Sequence, residues 1–338
     1  MNKRVEWIDL AKGLGMLLVI LGHCVCFGGI MHNAIFAFHM PLFFILSGIV
    51  YKTNSKGIVS KKIKSLIVPY FIFSILGILV SLAIPIWRRK ITVKSIICDI
   101  YLGNPDNINV SSIWFLMCMF WTCILTYLIY KIKKQYLRNS IVVILVILGF
   151  LFAHYRSNID ILPMKRMPLD IDVMLVAIGF LYLGINLKNV LLDKMQRKNI
   201  VLVGIGSVIC FIPTLLINKT VNLHGLVFGN PLVYIIESIS GSLIVICFCM
   251  LLQECNVSIV VSIRGIITWI GQNSIIILGL QAIMIRIFIL IINHCSNIEF
   301  SIYWLTGIYQ YIAFIFVFIT SVLITYGYSL TKKRIISK

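Results

Sequence analysis

Apolar residues run along this chain in ten blocks, at about 8–29, 31–51, 65–87, 112–130, 140–155, 170–187, 199–217, 229–252, 265–292 and 303–330, separated by short polar stretches. Most blocks reach the roughly 17–25 residues that a helix needs to cross a bilayer; the fifth is short, and the last two are long enough to tilt or break. The pattern predicts an all-α integral membrane protein of about ten transmembrane helices. Only a short turn near Phe27–Asn33 separates the first two blocks, so they form an antiparallel helical hairpin.

Composition agrees. Hydrophobic residues fill 60% of the 338 positions and charged residues 12%, with a mean hydropathy of +1.02, which excludes an ordinary soluble domain. A formal net charge of +19 would suggest nucleic acid in a soluble protein. Here Lys and Arg sit between the apolar blocks, where they act first as topology signals, and no nucleic-acid partner is expected. With the N-terminus cytoplasmic, inner loops collect about 20 of the 30 Lys and Arg and outer loops about 8, so both termini are expected inside. Arg88-Arg89-Lys90 with Lys94 runs against this scheme by falling outside.

Lys3 and Arg4 before an apolar stretch resemble the start of a signal peptide, but Asp9 and Lys12 interrupt the region that would have to be uncharged. The ten Cys lie mostly inside apolar blocks with no CxxC pair, so neither a disulfide framework nor a metal site is implied. No internal repeat or linker breaks the chain, and residues 1–338 read as one membrane domain. The oligomeric state, a homo-oligomer included, is not legible.

The candidate chemistry lies in the few polar positions inside apolar blocks. His23 follows Lys12 by eleven residues. On a helix that spacing returns to the same face within roughly 20° and separates the two by roughly 16 Å. Asp9 and Lys12, three apart, share a face and can pair, either as part of a site or as a snorkelling anchor. His39 lies on the other arm of the hairpin at a depth like that of His23, so the two imidazoles can line one cavity. Pro41 loosens the helix beside His39, as happens where backbone lines a cavity or is buried in protein. Ionisable groups at such depth make function the default reading.

These residues resemble a known family. Arg4-x-x-Trp7-x-Asp9-x-x-Lys12 with Gly22-His23, then Phe38-His39-Met40-Pro41-Leu42-Phe43-Phe44 with Ser47-Gly48, are similar to acyltransferase family 3, in particular its fucose 4-O-acetylase-like branch. Pro69-Tyr70, Trp114-Phe115-Leu116, Pro168 with Asp170, Gly184, Asn230-Pro231 and Ile270-Gly271-x-Asn273-Ser274 continue the likeness in order. The resemblance implies a multi-pass plasma-membrane enzyme of bacteria. It would carry acetyl from cytoplasmic acetyl-CoA, a co-substrate rather than a bound cofactor, to a sugar hydroxyl of a cell-envelope glycan or its lipid-linked precursor. Most members have Arg where this chain has Lys12, which keeps the charge and loses the bidentate fork. A His expected after the Asn-Ser pair is absent, and Gln281 stands nearby.

Acetyl transfer to an alcohol needs a base, and His23 is the expected one; a covalent acetyl-His intermediate is the alternative route. His39, Lys12 and Asp9 complete the expected catalytic group. Arg4, Lys61, Lys62 and Lys64 are the expected donor contacts, the three Lys lying in the loop before the third block, where they serve equally as inside-retention charges. On the acceptor side Trp114 is a stacking platform or an interfacial anchor, and Asp170, beside Asp172, binds acceptor or complements a helix N-terminus. Glu237 pairs with Arg286 or with acceptor, unless that Arg snorkels outward, and Asn273 contacts acceptor or a neighbouring helix. His32, His154, His224 and His294 lie near expected loop edges and carry no separate signal. A transporter or flippase for a lipid-linked sugar is the alternative to an enzyme, although no inverted repeat is visible.

Overall fold

The computed structural model describes residues 4–25, 29–53, 57–84, 92–103, 110–158, 165–192, 195–295, 305 and 307–336. Ten helical stretches in it are long and apolar enough to cross a membrane. They are α1 (Glu6–Cys24), α2 (Ile30–Ile49), α3 (Ile58–Ala83), then, after a short α4 (Val93–Leu102), α5 (Trp114–Tyr130) and α6 (Gln135–Tyr155). There follow α7 (Ile171–Leu192), α8 (Arg197–Ile217), α9 (Pro231–Gln253), the shorter α10 (Ser258–Gln272), α11 (Ser274–Cys295) and α12 (Tyr309–Ile336). Among the described residues the only β pairing is the bridge Asn222↔Val227.

Two expectations need correction. The ninth block is not one span: the backbone leaves the helix at Asn273, so that α10 lies against α1 and α11 alone is long enough to cross. The third span begins earlier than expected, so Lys61, Lys62 and Lys64 stand on helix rather than in a loop. Residues Ile63–Ile67 form a π-helical turn within that run, a local widening that re-aims the side chains around it. Arg88-Arg89-Lys90 lies outside the described residues.

Helices α1, α2 and α5 form the interior, and α6, α8 and α12 turn mostly apolar, exposed faces outward, as lipid-facing helices do. Two glycine contacts set the inner packing. A Cβ on Gly48 would strike the Leu181 carbonyl and one on Gly184 the Ile45 carbonyl, so α2 and α7 cross backbone to backbone. In the same way Gly13 meets the Ile267 carbonyl and Gly271 the Asp9 carbonyl, which clamps α10 onto the first turns of α1. Pro41 leaves the Ala37 carbonyl without its helical donor, and the Ser238 hydroxyl of α9 donates to it instead at 2.7 Å. The freed carbonyl is thus satisfied by a neighbouring helix.

Candidate active site

Helix α1 carries the site at both of its ends. At one end the buried Asp9 carboxylate accepts from three sides: Arg4 Nε lies 3.5 Å from Oδ2, Lys12 Nζ 3.8 Å from Oδ1, and Gln272 Nε2 3.4 Å from Oδ2. The expected Asp9–Lys12 pair therefore forms, and Arg4, largely exposed, joins it from outside. A cavity of about 360 Å³ opens beside Lys12, lined also by Ser47, Lys52, Lys61, Lys62 and Ser65, and floored by Phe43, Phe115, Ser274 and Ile275. The π-helical turn brings Ser65 and Leu66 onto this wall together with Lys61 and Lys62. Lys64 does not line it. Tyr51 braces the wall: its hydroxyl donates to the Cys123 carbonyl at 2.7 Å, and Lys62 Nζ lies 5.6 Å from its ring centre. Burial raises its phenol above the usual tyrosine range.

At the other end of α1, His23 and His39 meet around one ring, as the hairpin register predicts. Phe36 lies 5.7 Å from His23 edge-on and 4.8 Å from His39, and stacks on His32 at 3.9 Å. His39 is buried and donates from Nδ1 to the Ile35 carbonyl at 2.8 Å, because a carbonyl can only accept. Its Nε2 is then the ring atom with a free lone pair. His23 is only partly buried. His32, one of the histidines without a sequence signal, is therefore part of the cluster, and its position seven residues before His39 on one helix face was the available clue.

His224 was likewise without signal and reaches the same region from a loop. Asn222 and Val227 pair as a tight hairpin, Gly225 N donates to Asn222 Oδ1, and Arg156 donates to the Gly225 carbonyl at 2.9 Å. This hairpin lays the His224 ring on Trp114 at 4.5 Å, with Nε2 3.5 Å from Asp170 Oδ1. Trp114 is therefore an interior side chain, 7% exposed, and not an interfacial anchor; one of its faces is already covered by His224. Asp170 is fully buried and its Oδ2 has no hydrogen-bond partner. Arg166, which sequence reasoning did not single out, lies 2.6 Å from Asp172 and 3.4 Å from Asp170. Asp172 also accepts from the backbone N–H of Met167 and Val173 and so seats the start of α7. Leu169 and Asp170 both have φ of 56°, a left-handed conformation costly for residues with a Cβ, held here by the ion pairs on either side.

The remaining expected acceptor contacts lie apart from this cluster. Glu237 is buried with Oε2 accepting from Asn218 Nδ2 at 3.3 Å, and forms no ion pair with Arg286. Asn273 donates to the Trp269 carbonyl at 2.8 Å, which mends the break between α10 and α11, and its neighbour Ser274 faces the Lys12 cavity. Gln281 is fully buried with both amide atoms unpartnered. Among the described residues no group of three or more His, Cys, Asp or Glu is arranged to hold a metal ion.

Chemically, the arrangement pairs a cationic pocket at one end of α1 with imidazoles and buried carboxylates toward the other. Comparison with known families matches residues 5–326 to the acyltransferase 3 family, described as an acyltransferase domain. No curated protein and no solved structure matches the chain.

Proposed function

This multi-pass membrane protein belongs to the acyltransferase 3 family and is an acyltransferase, and on that premise we propose that it transfers acetyl from cytoplasmic acetyl-CoA to a sugar hydroxyl. The acceptor is a cell-envelope or extracellular polysaccharide, or its lipid-linked precursor, as in the fucose 4-O-acetylase-like branch, in a bacterial plasma membrane. The observation that carries the reading is the alignment along α1 of the Lys12 cavity with the His23–Phe36–His39 cluster.

Lys52, Lys61, Lys131, Lys134, Lys188 and Arg197 share the Lys12 end, which supports its facing the cytoplasm. Lys12, Lys61 and Lys62 then present point charges to the phosphates of CoA, with Arg4 holding Asp9 from outside and Lys64 beyond the cavity wall. The acyl-bearing arm extends inward along α1. His23, only partly buried, takes the acceptor's hydroxyl proton as the oxygen attacks the thioester carbon; the C–O bond forms, the C–S bond breaks, and the proton ends on the CoA sulfur. His39, its tautomer set by Ile35, holds the neighbouring wall. Toward the far face, the unpartnered Asp170 Oδ2 and the His224 ring are fitted to neighbouring sugar hydroxyls, since a buried polar atom without a partner is costly until a ligand supplies one.

The test is incubation of purified protein with radiolabelled acetyl-CoA and a panel of soluble and lipid-linked sugars. Label on a sugar together with release of free CoA is the expected result. Sugar movement across vesicles without CoA release would mark a transporter instead.

A further inference from the structure

A second space adjoins the Lys12 cavity. Phe43, Phe115, Ser274 and Ile275, which form its floor, also line a second void of about 30 Å³ that Met16, Met40 and Leu278 complete. Met40 directly follows His39, and Met16 stands seven residues before His23, two turns back on α1. The small void therefore lies between the cationic pocket and the imidazoles, where the acyl end of a donor held by Lys12 has to arrive.

Its size is the informative quantity. A water-sized group needs about 10–15 Å³ on this measure, so the void has room for on the order of two such groups. The methyl and carbonyl of an acetyl group match that. Each further methylene presses on Met16, Met40 or Leu278, which are all buried. We infer that Met16 and Met40 set the acyl length this enzyme accepts and hold it to two carbons. The inference rests on the CoA-donor reading above, and the bond changes are unchanged: C–O forms, C–S breaks and the hydroxyl proton passes to sulfur. Thioether side chains yield more readily than branched ones, so the selection is one of degree and is read as a ratio.

The experiment compares acetyl-CoA with butanoyl-CoA as donors to envelope glycan from the producing cells, with CoA release measured by chromatography. Wild type favours acetyl. Met40→Ala and Met16→Ala raise the butanoyl-to-acetyl ratio of kcat/KM at least tenfold, the scale at which a hydrophobic pocket distinguishes a few methylenes. Met40→Val, a milder enlargement, raises the ratio of propanoyl to acetyl transfer and covers the case in which the Ala variants do not fold. Because ratios are read, the amount of folded protein cancels. Ratios unchanged in whichever of these variants fold, with wild type active on acetyl-CoA, overturn the inference alone. A wild type that releases no CoA from acetyl-CoA with any sugar overturns the donor reading itself.

Discussion

His39 donates through Nδ1 to Ile35, Asp170 is buried with one oxygen unpartnered, and His23 is only partly buried; three residues thus have distinguishable parts. His23→Ala is expected to lower kcat for acetyl transfer by about 10²–10⁴-fold, the usual contribution of general-base catalysis, while insertion in the membrane stays near normal. Turnover above a tenth of wild type removes His23 from that role. Asp170→Asn keeps the shape and loses the charge toward Arg166 and His224. It should raise acceptor KM by about tenfold or more with donor KM unmoved, since hydrogen bonds to charged groups are worth about 1.5–3 kcal/mol; equal change in both constants contradicts the acceptor assignment. His23, His39, Lys12 and Asp9 were legible because an ionisable residue inside an apolar run stands out against its neighbours. His224 and Arg166 were not, because each sits in a loop where polar residues are ordinary, and only the fold brings them to Trp114 and Asp170.

At the scale of helices, length and apolarity alone located the ten spans, because a bilayer demands both. What they did not reveal was where a helix breaks or widens. Asn273 ends α10 two residues after Gly271 meets the α1 backbone at Asp9, a contact that only the fold reveals, and the π-helical turn Ile63–Ile67 has no marker in hydropathy. The glycines of the sequence motif acquire a reason here. Gly48 and Gly184 hold α2 against α7 at backbone contact, so Gly48→Ala must push apart the helices that position His39. A loss of about 1–3 kcal/mol in stability is expected, as for overpacking generally. Gly206→Ala, on lipid-facing α8 with open space beyond its Cα, is the comparison and should be neutral or slightly stabilising through helix propensity. Thermal unfolding of the two variants in detergent reads the difference; equal midpoints would show that the crossing relaxes without cost.

Across the whole molecule, the arrangement separates what a donor and an acceptor need by the thickness of the inner helices, with cations at one end of α1 and the Trp114–His224–Asp170 group toward the other. The excess of Lys and Arg at the Lys12 end serves either orientation or donor binding, and the two roles predict different defects. Lys61 and Lys62 line the cavity and neutralise phosphate there if CoA binds. The double variant Lys61→Gln, Lys62→Gln should then raise donor KM by roughly 3–10-fold at low salt, with kcat and acceptor KM little changed, and the gap from wild type should narrow as salt screens the wild-type contacts. Lys12→Arg should stay active because the charge remains, whereas Lys12→Met leaves Asp9 with Arg4 as its one cation beside Gln272 and removes the cation nearest the cavity, and should lose most activity. If the lysines only orient the chain, the double variant instead inserts in mixed orientation, and its correctly inserted fraction, sorted by labelling of a terminal tag in sealed vesicles, keeps the wild-type donor KM. That last outcome would leave Lys12 as the only basic side chain still assigned to the donor and would move the phosphates of CoA away from the α3 wall.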